Sequence, residues 1–202
     1  MRKITIAMSL MAILALVVAG CAKPPTAEMQ AATAAMQEAT TAEAEVYAPE
    51  AMQAARSAQQ AYEEEVKLQE GKFALFRKYD QAKTLVAQAT TSAQTASTQA
   101  VENKNRIRTE VTTMIGEART MLTEAQGMLE KAPKGKGSTL DLQVMGSDLT
   151  AAGTTIDEAQ ALLEQDKLMD ARAKIQTARN TVMSVRSSVE QAIQMKQAGA
   201  KK

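Results

Sequence analysis

The chain has 202 residues, with 24 Lys and Arg against 23 Asp and Glu, no histidine, no tryptophan and one cysteine. Charges this evenly balanced leave no electrostatic footprint for nucleic acid or for a polybasic grip on a membrane. Missing histidine removes the commonest general base, and 2% aromatic content argues against a large globular core. The apolar fraction is mostly Ala, with 13 Met and scattered Leu, Ile and Val, a composition that favours helix over strand.

The first stretch reads Met1-Arg2-Lys3, then an apolar run from Ile4 to Ala19, then Gly20-Cys21. A basic start, a short apolar centre and small residues at the end describe a secretory signal rather than a transmembrane span. Val18-Ala19-Gly20-Cys21 resembles a bacterial lipobox. The resemblance implies a diacylglycerol (palmitate-type chains) on the Cys21 sulfur, cleavage between Gly20 and Cys21, and acylation of the new amine. The residue types suit that chemistry: Ala19 and Gly20 let a protease reach the backbone, and a thiolate is the best nucleophile to take up a lipid. Two or three chains anchor far more firmly than one, at about 0.8 kcal/mol per buried CH2. Residues 1–20 would then be lost, leaving 22 basic side chains against 23 acidic. With Cys21 lipidated no thiol remains, so disulfides and cysteine metal sites are excluded.

Residues 21–26 read as a lipidated tether, stiffened by Pro24 and Pro25. Ala22 follows the lipidated position. In Gram-negative lipoproteins an Asp there signals retention at the inner membrane, so its absence implies the outer membrane, facing the periplasm.

Residues 27–131 are expected to form Ala-rich helical hairpins. The first helix is placed at Ala27 to Val46, with Ala32, Ala35, Ala39, Ala42 and Val46 on one face. Tyr47-Ala48-Pro49-Glu50 breaks it, and Pro49 opens a second helix at its first position. That helix runs to Glu70, with Ala51, Ala55, Ala58 and Tyr62 on one stripe, Glu63-Glu64-Glu65 on a solvated face, and Gly71 as C-cap. Lys72-Phe73-Ala74-Leu75-Phe76 holds both phenylalanines. It is read as a hairpin turn whose rings plug the end of the bundle, with a binding patch as the other reading.

The third helix is the longest. Tyr79, Ala82, Val86, Ala89, Ala93, Ala96, Ala100, Asn103 and Ile107 keep a 3–4 spacing, which slips by four and resumes at Val111, Met114, Ala118, Met121, Ala125 and Met128. Such a slip is a stutter, which changes a supercoil locally without ending the helix. A continuous helix from Tyr79 to Lys131 would measure about 80 Å. A fold-back near Asn103-Lys104-Asn105 is the alternative.

Residues 132–138, with Pro133, Gly135 and Gly137, form a loop. Lys134-Gly135-Lys136-Gly137-Ser138 lacks the full phosphate-loop spacing and follows no strand. Residues 139–196 form a C-terminal hairpin packing on the end of the long helix. Its stripes are Leu142, Met145, Leu149, Ala152, Ile156, Ala159 and Leu163, then Leu168, Ala171, Ile175, Ala178, Val182, Val185, Val189 and Ala192, joined by Gln165-Asp166-Lys167. Residues 197–202 are read as a flexible tail. The fold class is therefore all-α, as elongated antiparallel helical hairpins in a coiled-coil-like bundle. Tyr79 to Ala89 also aligns with Leu168 to Ala178, which suggests a duplicated hairpin.

Tyr47-Ala48-Pro49-Glu50, then Ala55-Arg56-Ser57-Ala58, then Tyr79-Asp80-Gln81-Ala82-Lys83 resemble a family of bacterial envelope lipoproteins of unknown function carrying a Tyr-Ala-Pro motif. The resemblance covers about 39 to 100 and implies envelope residence and a helical hairpin. It supplies no activity and no catalytic residues. Some members carry a mixed α/β peptidoglycan-binding domain, and here the C-terminal region reads as further helix.

The sequence thus points to a non-enzymatic, membrane-anchored periplasmic lipoprotein with a structural or scaffolding role in the cell envelope. Its partners are the membrane, through lipid on Cys21, and an envelope protein or peptidoglycan, with self-association as a further expectation and no nucleic acid. Asp157, Glu158 and Asp170 fall on solvent-facing helix positions, and no catalytic, cofactor or metal-ligating set emerges. Lys202 resembles the lysine end of Braun's lipoprotein and is the candidate point of peptidoglycan attachment. The alternative is a helical binding module for a peptide, partner helix or lipid, with Met114, Met121, Met128 and Met145 lining an adaptable groove.

Overall fold

The structure is a computed structural model describing residues 22–132 and 138–199, without the side chains of 138–140 and 196–199. Among the described residues there are six α-helices, one 3-10 turn and no strand. They are α1 (Thr26–Thr41), α2 (Ala44–Tyr47), α3 (Pro49–Glu70), the 3-10 turn Ala74–Phe76, α4 (Asp80–Glu130), α5 (Ser138–Glu164) and α6 (Leu168–Gly199). The fold is all-α, and the helices pack as bundles. The chain divides into two compact units, residues 1–103 and 104–202, so α4 contributes its first part to one and its remainder to the other.

Unit 1 packs α1, α3 and the first part of α4 around small residues. Ala32, Tyr62, Val66, Tyr79, Ala82, Val86 and Ala89 form one buried cluster, and Ala35, Ala55 and Ala93 form the next. As α1 runs from Ala32 to Ala35 and α4 from Ala82 to Ala93, α3 runs back from Val66 to Ala55. Hence α1 and α4 are parallel and α3 is antiparallel to both. The entire Ala stripe of α4 is buried, with Ala82, Ala93, Ala96 and Ala100 at 0% exposure. Small side chains bury little apolar area each, but they let helix axes approach closely.

The first helix departs from expectation. It stops at Thr41, and Glu43 takes a left-handed conformation (φ 58°) before the one-turn helix α2. This turn rotates the buried stripe, so that Ala44, Tyr47 and Ala48 face inward while Val46 is 53% exposed. The carbonyl of Tyr47, at a helix C-terminus where intrahelical donors run out, accepts a hydrogen bond from the Asn103 Nδ2 at 2.8 Å. That contact accounts for the one polar residue in the α4 stripe. Pro49 opens α3 at its first helical position as the sequence predicts. Gly71 follows α3 with φ −68°, an ordinary right-handed conformation.

Unit 2 packs the rest of α4 with α5 and α6 around larger residues. Ala125, Leu149, Ala152, Val182, Val185 and Val189 form one cluster, edged by Met121, Met128, Leu142 and Met145. α4 is continuous through Asn103-Lys104-Asn105, as it is through the stutter, where Ile107, Val111, Met114, Ile115 and Ala118 are all buried. Gly146 and Gly153, seven residues apart on α5, receive the side chains of Leu129 and Leu122 of α4, also seven apart. The α5–α6 turn is a Schellman motif. The Lys167 amide donates to the Leu162 carbonyl at 2.9 Å, the Asp166 amide to the Leu163 carbonyl at 3.1 Å, and Asp166 is left-handed (φ 62°). The last helix continues to Gly199, three residues into the stretch read as tail.

Gly116 lies within α4 and a Cβ there would meet nothing within 4 Å. Gly116→Ala is expected to stabilise the protein by about 1 kcal/mol. Ala96→Leu, on the closed seam, is expected to cost about 1–3 kcal/mol. Thermal melts followed by circular dichroism check both signs.

Candidate functional site

The most distinctive surface is the turn between α3 and α4, residues 71–79. Phe73 and Phe76 are 70% and 71% exposed, and Leu75 is 55% exposed. The expectation that these rings plug the bundle end is therefore wrong. The plug is made instead by Tyr62, Val66 and Tyr79, with Met29 packed alongside, which leaves the phenylalanines outside. Their rings lie tilted against one another at a centroid separation of 6.3 Å, within the range of favourable aromatic pairs.

The turn is held from below by three sets of hydrogen bonds. The Arg77 guanidinium donates to the carbonyls of Glu70 (2.8 Å) and Lys72 (3.0 Å), satisfying acceptors at the end of α3. Gln69 is 5% exposed, and its Oε1 accepts the Lys78 amide at 3.0 Å while its Nε2 donates to Glu65 at 2.7 Å. The Phe76 amide closes the 3-10 turn on the Phe73 carbonyl at 2.9 Å. A buried amide and a clamped guanidinium thus fix a loop whose apolar side chains face solvent. Sequence reasoning had the residues but not the anchoring. The signal was Gln69, a polar residue on the continuation of the Tyr62–Val66 stripe.

Tyr79 ends the turn. Its side chain is 2% exposed and its hydroxyl has no hydrogen-bond partner among the described residues. An unmet buried hydroxyl costs about 1–3 kcal/mol. Tyr79→Phe is therefore expected to raise the melting temperature, read by calorimetry.

Unit 2 carries its chemistry as ion pairs. Glu110, Glu117 and Glu124 of α4 pair with Arg172, Arg179 and Arg186 of α6 at 2.9, 3.4 and 3.2 Å. Both series advance by seven residues, so α4 and α6 are parallel with one pair per heptad. Sequence reasoning missed this ladder, although two heptad series at a constant separation were there to find. Asp157 and Glu158, read as solvent-facing, are exposed and pair with Arg119 and Lys174, and Asp170 is exposed.

Asp166 meets both Lys104 (2.7 Å) and Arg108 (2.5 Å). The hydrogen bond from Lys104, ahead of the other charge contacts, holds its carboxyl below the usual aspartate range. With the folded pKa depressed, its stabilisation is present above about pH 4 and is lost as pH falls through the folded value. Because the carboxylate is nearly half exposed, salt weakens the contribution. Asp166→Asn is expected to flatten the acid side of the stability profile below about pH 4 and leave its alkaline side unchanged, measured by urea unfolding across pH.

Of the methionines weighed for a groove, Met114 is buried, and Met121, Met128 and Met145 are half-buried against the unit 2 core. The concavities of unit 1 are shallow and open, such as the one lined by Thr26, Met29, Gln30, Thr33 and Tyr62. Among the described residues, no group of three or more acidic or cysteine side chains could hold a metal ion, and no helix is long and apolar enough to cross a membrane. Gly20, Cys21 and Lys202, and most of the 132–138 loop, lie outside the described residues. No protein-family model matches the chain, and neither a curated protein nor a solved structure does.

Proposed function

We propose that the protein is a non-enzymatic lipoprotein of the bacterial envelope, anchored through acyl chains on Cys21 and scaffolding the periplasmic face of the outer membrane. The observation that carries this reading is the run Val18-Ala19-Gly20-Cys21 after a basic start and a short apolar stretch. Two other features support it. Among the described residues, the apolar side chains are spent mainly on narrow helical seams, and the grooves lined by Lys83, Thr84, Ala87 and Gln88 and by Ala34, Gln37, Glu38 and Thr41 are too open to enclose a small substrate. The resemblance to Tyr-Ala-Pro envelope lipoproteins points the same way, with Tyr47 and Tyr79 serving as packing residues. Lys202 is the proposed acceptor if the scaffold is joined to peptidoglycan.

Cells expressing the wild type are expected to yield a membrane-bound protein whose N-terminal peptide begins at Cys21 and carries acyl mass. Cys21→Ala is expected to abolish both the acyl mass and cleavage after Gly20, read by mass spectrometry of membrane fractions. An unmodified Cys21 in the wild type would sink the proposal.

A further inference from the structure

The turn 71–79 sits at a particular end of unit 1. α1 begins at Thr26 and α3 ends at Glu70. Because these two helices are antiparallel, the chain enters unit 1 at the end where the turn protrudes. Met29, three residues into α1, packs on the same cluster as Val66 and Tyr79, directly beneath the turn. The described chain starts at Ala22, with Pro25 buried and its carbonyl accepting the Met29 amide at 2.9 Å. Four residues, 22–25, therefore separate Cys21 from this end of the bundle.

The composition of the turn is one-sided. Residues 71–79 read Gly-Lys-Phe-Ala-Leu-Phe-Arg-Lys-Tyr, with Lys72, Arg77 and Lys78 and no acidic residue. Glu70 and Asp80 lie at the helix ends behind it. Three large apolar side chains stand in water, flanked in the sequence by exposed Lys72 and Lys78, while Gln69 and Arg77 hold the backbone in place. Aromatic and aliphatic tips flanked by Lys and Arg suit the boundary between lipid headgroups and acyl chains. There the rings leave water and the ammonium groups meet phosphate. A rigid turn also loses less conformational entropy on docking than a mobile one.

We propose that the turn 71–79 is a membrane-docking tip, inserting Phe73, Leu75 and Phe76 into the headgroup layer of an anionic bilayer. This rests on the anchored reading above, because the tether on Cys21 holds the same end of unit 1 at the membrane. The tip supplies a second, non-covalent contact that orients unit 1 with this end against the lipid.

The chain contains no tryptophan, so Phe76→Trp gives a single fluorescent reporter at an exposed position that folding does not need. Val46→Trp, 53% exposed near the other end of unit 1, is the control. The full chain carrying each substitution is purified from membranes and reconstituted with vesicles of phosphatidylglycerol and phosphatidylethanolamine bearing brominated acyl chains. The expected result is blue-shifted emission at position 76, quenched about twofold or more by the brominated chains, with position 46 unaffected. Adding Lys72→Gln and Lys78→Gln to the Phe76→Trp chain is expected to weaken the quenching on anionic vesicles and remove its salt dependence. Water-like, unquenched emission at position 76 overturns the proposal. So does a blue shift without lipid quenching that grows with protein concentration, which would mean that a second copy covers the turn. Mass spectrometry of the same samples reads the lipid on Cys21, so failure of the anchor is distinguished from failure of the tip. Vesicles are in excess, and the tip is read whether or not the cysteine is acylated.

Discussion

Close packing of helices through alanine is the constraint on which unit 1 depends. The stripe of α4 from Ala82 to Ala93 lies against α1 and α3, and from Ala82 to Ala100 almost nothing of it is exposed. An alanine seam contributes little hydrophobic free energy per residue, so it holds only if the helices are close and unbroken. Other features of unit 1 can be read as devices that meet this condition. Glu43 turns the chain within two residues, Pro49 starts α3 at once, and Asn103 ties α4 to the Tyr47 carbonyl at one end. At the other end, Tyr62, Val66 and Tyr79 supply the bulk that alanine lacks.

Unit 2 solves the same problem with larger side chains. Leu149, Ile156, Leu168, Ile175, Val182 and Val189 are fully buried, and register is marked by charge as well as by shape. Each rung of the Glu–Arg ladder is at least partly exposed and worth little alone, about 0–1 kcal/mol. A slip of one heptad would nevertheless leave a glutamate at one end and an arginine at the other without a partner. Apolar stripes that repeat every seven residues distinguish such slips poorly, so the rungs add specificity more than strength.

The stripes were legible in the sequence because a 3–4 alternation sustained over many turns has one physical solution. Every member of the α6 stripe from Leu168 to Val189 is buried, and α3 has the bounds the proline and glycine signals gave. The errors fell where tertiary space decides. Val46 matched the period of its stripe, but a single left-handed residue at Glu43 rotated it outward. Phe73 and Phe76 looked like a plug because large rings are usually buried, and the end of unit 1 was already filled. The Glu and Arg heptads were visible in the sequence, but which glutamate meets which arginine depends on the register of α4 against α6, which the spacing alone does not fix. The features read as anchor and attachment point, Cys21 and Lys202, rest on sequence alone.

Parallel alignment of α4 and α6 has a mechanical consequence. If tension enters unit 2 at Lys104 and leaves near Gly199, it acts on the starting end of one helix and the finishing end of its neighbour. The two are then dragged past each other along their axes rather than peeled apart from one end. In that geometry the three Glu–Arg rungs bear load together, and none can give way without the others sharing the displacement. Peeling would break them one at a time. A unit built this way resists being stretched end to end more than its modest core suggests.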